Sequence, residues 1–362
     1  MTIPSPPSIR LVVADDSPAV RDVIRALVEV DDGFRIVGEA GTGKEAVEMA
    51  HTLRPDVILM DVRMPEMNGI EATTRIMASR AAAIIAFSSH TSGGEARESI
   101  DILAAGALDV MAKPDLASEE ALQECSRELR KKIRTASRVA VAPHPRRPPP
   151  GRGGEEIRPG LDAGRRFRAV GIGASTGGPG ALREIFSILP GSFALPVLVV
   201  QHITAGFNEG FAEWLQQFTS LKVRIAKPHD RAVPGTVLLA PDGRQLEVLP
   251  DGSVRAVSLK PHGVFLPSAD MLLSSLAAAY REGAVGVLLT GMGADGAEGL
   301  LEIRRAGGWT YAQNEASCMV FGMPGEAVRR GAASLILDPA SIAGSLRRLP
   351  GASAAAPEPR HA

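Results

Sequence analysis

Cysteine is scarce in this chain: two of 362 residues, Cys125 and Cys318. Two thiols cannot build a disulfide framework, so a reducing, cytoplasmic setting is expected. Excess charge is also missing. The formal net charge is −1, which gives no general attraction to nucleic acid or to an anionic membrane. No apolar run reaches membrane-spanning length; Leu195-Pro-Val-Leu-Val-Val200 is typical of the longer ones, and direct membrane insertion is not expected. The opening Met1-Thr-Ile-Pro-Ser-Pro-Pro-Ser8 lacks the basic and apolar regions of a secretory signal. What remains, 45% hydrophobic and 22% charged residues, is the composition of a globular protein long enough for two domains.

The join between them is legible. Arg138-Val-Ala-Val-Ala-Pro-His-Pro-Arg-Arg-Pro-Pro-Pro150 runs into Gly151-Arg-Gly-Gly-Glu-Glu156 with little apolar periodicity. Its basic residues have neither aromatics nor an apolar face beside them, so it reads as a solvated linker rather than a nucleic-acid or membrane segment. We place domains at 8–134 and 167–350, a Pro/Gly/Arg-rich linker at 135–166, and a disordered tail at 351–362.

Before the linker, strand-like runs at Ile9–Ala14, Arg35–Ala40, Val57–Met60, Ala83–Phe87 and Ala107–Ala112 alternate with helical stretches. The first helix carries a core-facing stripe of Val20, Val23, Ile24, Leu27 and Val28. The alternation predicts a doubly wound parallel sheet. After the linker it resumes, with strands at Ala169–Ala174, Pro196–His202, Lys222–Ala226 and Gly283–Leu289. Thr236–Ala240 and Gln245–Val248 flank Pro241-Asp-Gly-Arg244, which predicts an added β-hairpin. The fold class is therefore α/β in both halves.

Polar residues gather at the ends of the first-half strands: Asp15 and Asp16, Asp61, Ser88 and Lys113. Parallel strand ends converge, so these residues form an oxygen-rich pocket suited to Mg²⁺ and phosphoryl transfer, with Asp61 as acceptor. Any single acid there also reads as a helix cap or loop charge. Residues 8 to about 134 resemble a response-regulator receiver domain through Ala14-Asp15-Asp16-Ser17, Met60-Asp61-Val-Arg-Met-Pro65 with Asn68-Gly69, Phe87-Ser88 and Lys113-Pro114. The resemblance implies that Asp61 is phosphorylated, that Asp15 and Asp16 join it in holding Mg²⁺, and that Ser88 and Lys113 contact the phosphoryl group. Val110 departs from the family, which often has an aromatic switch residue there.

In the second half, Arg168-Ala-Val-Gly-Ile-Gly-Ala-Ser175-Thr-Gly-Gly-Pro-Gly-Ala-Leu182 runs from an apolar strand through a glycine-dense turn into a helix. Thr176 and Gln201 break a dinucleotide fingerprint, and Pro179 breaks a nucleoside-triphosphate loop. A tight turn with a solvated hydroxyl is one reading. A nucleophile beside backbone oxyanion donors is the other. Of seven histidines, only His202 directly ends a strongly apolar strand, which places it to serve Ser175 as general base. Leu288-Leu-Thr-Gly-Met-Gly-Ala-Asp295 supplies a carboxylate after another apolar strand, either to orient the imidazole or to cap the next helix. Asp270 sits in what looks like an ordinary helix start. Asp242 sits in the predicted hairpin turn, away from this edge. Cys318 reads as a small buried hydrophobe. The chain order Ser…His…Asp, without Gly-x-Ser-x-Gly, argues against an ordinary lipase or esterase of the α/β-hydrolase fold.

From Phe167 to Pro350 the chain resembles the catalytic domain of chemotaxis protein-glutamate methylesterases. The shared segments are Gly173-Ala-Ser175-Thr-Gly-Gly-Pro179, Val200-Gln-His202, Leu289-Thr-Gly-Met292-Gly-Ala-Asp295-Gly-Ala and Gln313-Asn-Glu-Ala-Ser-Cys-Met-Val-Phe-Gly-Met-Pro324. The resemblance implies Ser175 as nucleophile, His202 as base, Asp295 as orienting acid, and Thr176 and Met292 at the mouth. It implies hydrolysis of glutamyl methyl esters and deamidation of glutamines on membrane chemoreceptors, with no cofactor for that chemistry. It also implies a chemotaxis histidine kinase as phosphodonor, and a receiver that obstructs the Ser175 edge until Asp61 is phosphorylated. Leu266 departs from the family's usual arginine before Pro-Ser. Two alternatives stand beside this: the same triad acting on another ester or amide, and a non-catalytic phosphorylation-dependent adaptor. No helix-turn-helix or basic reading face suggests a transcription factor.

Overall fold

The computed structural model describes residues 8–31, 33–79, 82–88, 94–113, 118–138, 166–258 and 266–349. The linker core at 139–165, the tail at 351–362 and Pro114 lie outside the described residues. The chain divides between residues 147 and 148 into two compact units.

The first unit alternates β1 (Ile9–Ala14), α1 (Pro18–Val28), β2 (Phe34–Ala40), α2 (Gly43–Thr52), β3 (Val57–Asp61), α3 (Gly69–Ser79), β4 (Ala83–Ser88), α4 (Gly94–Ala105), β5 (Asp109–Ala112) and α5 (Glu119–Ala136). The strands form one parallel sheet in the order β2-β1-β3-β4-β5. Every residue of β3 and β4 is buried, as central strands covered on both faces require. The α1 stripe turns inward as expected: Ile24, Leu27 and Val28 are buried, Val20 and Val23 half-buried. Ser17 caps α1 by accepting from Val20 N–H, with Pro18 opening the helix. Helix α5 runs past the expected boundary at 134 because Ile133 and Ala136 are still buried.

The second unit comprises β6 (Ala169–Ala174), α6 (Gly178–Ile188), β7 (Val197–Gln201), α7 (Asn208–Gln216), β8 (Lys222–Ile225), β9 (Thr236–Leu239), β10 (Gln245–Val248), β11 (Val254–Val257), α8 (Ala269–Tyr280), β12 (Ala284–Leu288), α9 (Ala297–Arg305), β13 (Trp309–Gln313), α10 (Met323–Arg329), β14 (Leu335–Leu337) and α11 (Pro339–Arg347). Seven strands form a parallel sheet in the order β14-β13-β12-β6-β7-β9-β8. Helices α8, α9 and α10 contribute Leu272, Leu276, Leu300, Ile303 and Met323 to a core shared with this sheet and with Leu246 and Val254 of the short strands. Strand order reverses at β6, so the ends of β7 and β12 flank the end of β6, the position where open α/β sheets bind ligands.

The added hairpin is present but not where expected. Residues 236–240 belong to the parallel sheet, because β9 is buried throughout and pairs with β7 and β8. The antiparallel partner of β10 is β11. Pro-Asp-Gly occurs twice, at 241–243 and 250–252; the second instance closes the hairpin, with Gly252 N–H donating to Leu249 O at 2.9 Å. A turn signature fixes a reversal of the chain but not which strands pair across it.

Candidate active site

Ser175 follows β6, His202 follows β7, and Asp295 lies in the turn after β12. Neighbouring strand ends bring the first two together: Ala174 pairs with Gln201 across β6 and β7, and His202 N–H donates to Ala174 O at 2.9 Å. On the other side, Ser175 N–H donates to Thr290 O at 3.1 Å. Ser175, Thr176 and Met292 are half-buried, and Thr176 O accepts from Thr290 Oγ1 at 3.0 Å.

The imidazole and the carboxylate meet directly, His202 Nε2 to Asp295 Oδ2 at 2.8 Å. Asp295 is buried and accepts three further hydrogen bonds, from Ser268 Oγ at 2.8 Å, Ala269 N–H at 2.7 Å and Asp270 N–H at 3.0 Å. The last two donors open α8, so the carboxylate sits at a helix N-terminus. Burial opposes its charge, but His202 and these N–H groups outweigh that and hold the Asp295 carboxyl below the usual carboxylate range. Asp295 thus contacts His202 and caps a helix at once, although the helix capped is α8 rather than the expected α9.

The rival residues resolve differently. Asp270 accepts from Gly299 N–H at 2.7 Å, which makes it a cap for α9. Burial pushes its carboxyl up, and the Asp295 charge adds to the rise. Cys318 is buried and its thiol is pushed up to about 12 by that burial, which suits a core residue and not a nucleophile. Asp242 does not lie in a hairpin turn away from this edge. It follows β9, beside β7 on the catalytic edge, and accepts from Gly206 N–H at 2.9 Å and Asn208 Nδ2 at 2.7 Å. It therefore anchors the loop that leaves His202, because β9 is a sheet strand and not a hairpin arm.

Four supporting residues escaped the sequence reading. Gln201 and Ser268 hold the Ser175 and Asp295 segments. Gln313 accepts from Thr290 N–H at 2.8 Å, and Thr290 in turn holds the Ser175 turn. Gln201, Thr290 and Ser268 lie inside or next to strands or helix starts already singled out, whereas Gln313 ends β13, outside the expected strands; in each case a supporting hydrogen bond leaves no spacing signal.

In the first unit, Asp15, Asp16 and Asp61 each offer a carboxylate oxygen within 4.8 Å of the others. Asp15 and Asp61 are buried and Asp16 is exposed. Lys113 Nζ lies 2.8 Å from Asp15 and 2.9 Å from Asp61. Burial, with the Asp15 charge adding to it, pushes the Asp61 carboxyl up to about 6 against the pull of Lys113. Burial also opposes the Lys113 charge, yet the two carboxylates hold its pKa above the ordinary lysine value. Ser88 is buried at the end of β4, and Lys113 N–H donates to its carbonyl at 2.8 Å. All five expected residues therefore share one strand-end cluster.

The CheB methylesterase family profile matches residues 170–346, and the response regulator receiver domain profile matches residues 11–124. Protein-glutamate methylesterase/protein-glutamine glutaminase 3 of Anaeromyxobacter dehalogenans is 43% identical over 339 residues, which cover 93% of this chain and 98% of that protein. The chain belongs to the protein-glutamate methylesterase/protein-glutamine glutaminase family. A second family member, from Syntrophus aciditrophicus, is 39% identical over 352 residues, covering 96% and 99% of the two chains. Among solved structures, the catalytic domain of Thermotoga maritima CheB methylesterase is 33% identical and covers 50% of this chain and 98% of its own, with a TM-score of 0.48. The response regulator domain of the Thermotoga maritima protein is 40% identical, covering 36% and 98%, with a TM-score of 0.33.

Within this methylesterase family member, the two departures fall in unlike places. Val110 is fully buried in β5, whereas Leu266 is half-buried ahead of α8. Among the described residues, no helix is long and apolar enough to cross a membrane.

Proposed function

We propose that the chain hydrolyses glutamyl methyl esters, and deamidates glutamines, on the cytoplasmic helices of membrane chemoreceptors, with turnover raised by phosphorylation of Asp61. The observation that carries this reading is the His202–Asp295 contact of 2.8 Å, beside Ser175 on the adjoining strand end, in a chain whose relatives are named for both activities.

Ser175 is the nucleophile. With Nε2 facing Asp295, Nδ1 of His202 takes the Ser175 proton as Oγ attacks the ester carbonyl, the reverse of the ring-nitrogen usage in chymotrypsin-type triads. The tetrahedral oxyanion is held by backbone N–H groups of the glycine-rich turn. Because Ser175 N–H is given to Thr290 O, those donors are the following N–H groups at Thr176 and Gly177. The carbonyl re-forms, the C–O bond to methoxide breaks, and His202 returns its proton so that methanol leaves. Water, deprotonated by His202, then attacks the Ser175 ester; the acyl C–Oγ bond breaks, His202 returns the proton to Ser175 Oγ, and glutamate is released. With glutamine the leaving group is ammonia. Asp295 stays ionised throughout, fixing the ring and stabilising the imidazolium. Thr176 and Met292 line the mouth.

Asp15, Asp16 and Asp61 would hold Mg²⁺. Three clustered carboxylates, two of them sharing one half-buried lysine and one with a raised pKa, are short of positive charge and present hard oxygen donors. When bound, the ion neutralises charge on a transferring phosphoryl group. Asp61 accepts that group from a chemotaxis histidine kinase, with Ser88 and Lys113 contacting its oxygens.

Methanol release from methylated receptor, with and without a small-molecule phosphodonor, tests both halves. The expected result is phosphodonor-stimulated release in the intact protein and unstimulated release in Asp61→Asn. Stimulation that survives in Asp61→Asn would reject the switch, and release undiminished in Ser175→Ala would reject the nucleophile.

A further inference from the structure

We propose that Gln201 is a positioning residue for this reaction: its side-chain amide ties the turn carrying Ser175 to the turn carrying His202. The proposal rests on the reading of those two residues as nucleophile and base. Gln201 ends β7 and is buried. Its Nε2 donates to Ser175 O and to His202 O, each at 2.8 Å. One amide nitrogen thus spends both of its hydrogens on the carbonyls of the two reacting residues. The reversed amide would set Oε1 against two carbonyl oxygens, so the orientation is fixed.

The other end of the amide shows what this arrangement costs. Gln201 Oε1 is buried with no hydrogen-bond partner among the described residues. An apolar side chain of equal length would leave no such atom, so packing alone does not explain a glutamine here. The two donations offset the stranded oxygen. Gly178 belongs to the same device: a Cβ there would lie 2.0 Å from Oε1. In the run Thr176-Gly-Gly178, the second glycine makes room for the amide. The ladder between β6 and β7 closes with His202 N–H on Ala174 O, and the Gln201 amide extends the tie one residue further, across Ser175 itself.

The test uses the full chain with Gln201→Met, which keeps length and removes both donors, and Gln201→Glu, which keeps shape and faces the carbonyls with oxygen. Methanol release from methylated receptor, labelling of Ser175 by a serine-reactive phosphonate and thermal melting are measured on each. Both variants are expected to lose about 100-fold in kcat with KM within about twofold, and to label at a rate slowed by a similar factor while reaching the wild-type labelled fraction. A folded Gln201→Met with kcat within threefold of wild type overturns the proposal. A loss seen only as a smaller labelled fraction, with normal turnover per labelled site, also overturns it by making the role merely structural. If the Met variant does not fold, the Glu variant carries the same expectations. Ser175→Ala alongside separates the two levels: turnover surviving there defeats the triad, whereas an inactive Ser175→Ala beside an unimpaired Gln201→Met defeats the positioning role alone.

Discussion

The three residues of the proposed triad differ in what the fold asks of them. Ser175 contributes a hydroxyl for which no hydrogen bond is seen among the described residues, so Ser175→Ala should abolish turnover while changing stability by less than about 0.5 kcal/mol. Asp295 is both chemical and structural. Asp295→Ala would strand Ser268 Oγ and the N–H groups of Ala269 and Asp270, and should destabilise the second unit by about 3 kcal/mol. Asp295→Asn keeps an acceptor for the helix but no longer fixes the imidazole tautomer, so kcat should fall by roughly 10⁴ with a smaller loss of stability. Chemical denaturation and methanol release, measured together, distinguish the three variants. The pH dependence has a definite sign. The folded-state pKa of Asp295 is lowered, so its stabilisation is present above the ordinary carboxylate pKa and is lost as pH falls through the depressed one. Asp295→Asn should therefore unfold less steeply on acidification than wild type.

At the scale of elements, the Asp295 carboxylate is held by two helix starts that cap each other. Asp295, just ahead of α9, accepts from the opening N–H groups of α8, and Asp270 in α8 accepts from Gly299 N–H in α9. The exchange needs the helices close together. A Cβ at Gly299 would lie 2.6 Å from Asp270 O and 2.8 Å from Leu273 Cβ. Gly299→Ala should cost about 1–3 kcal/mol and lower kcat as well, because it moves the helix on which Asp295 depends; a stability loss with kcat intact would show that Asp295 keeps its place without the close approach. None of this was legible beforehand, since Gly299 and Asp270 follow unrelated strands. What was legible follows from periodicity and from strand-end chemistry. β1, β6 and β10 match their expected bounds, because each is a short β-rich run bounded by turn residues. β13 was missed because its Trp-Thr-Tyr-Ala-Gln carries Thr310 and Gln313 into the core, where their side chains bond to main chain. β14 spans three residues, none of them fully buried, too few to show a period.

Across the whole molecule, the same construction appears twice with opposite electrostatics. Each unit gathers its polar residues at the carboxyl edge of a parallel sheet, where strand order reverses. In the second unit the buried carboxylate is surrounded by N–H groups and an imidazole, and it is held ionised. In the first, Asp61 has Asp15 beside it and one lysine shared between them, and burial wins. Its pKa rises from the ordinary 3.8 to about 6, so the folded state binds a proton more readily than the unfolded one. The penalty for ionising Asp61 is absent below pH 3.8, grows between 3.8 and 6 and is complete above 6. About two pKa units correspond to roughly 3 kcal/mol. Asp61→Asn should therefore stabilise the first unit by up to that amount at pH 7 without divalent cations, and the gain should vanish near pH 4. Mg²⁺ should recover much of the same stability for wild type, because it supplies the missing positive charge. Its effect on Asp61→Asn should be smaller, and it should fade for both proteins as the solution is acidified. Denaturation of both proteins from pH 4 to 8, with and without Mg²⁺, measures all three differences. A pH-independent gain in Asp61→Asn would mean that crowding of charge is not what distinguishes Asp61, and that its proposed role as phosphoryl acceptor must rest on position alone.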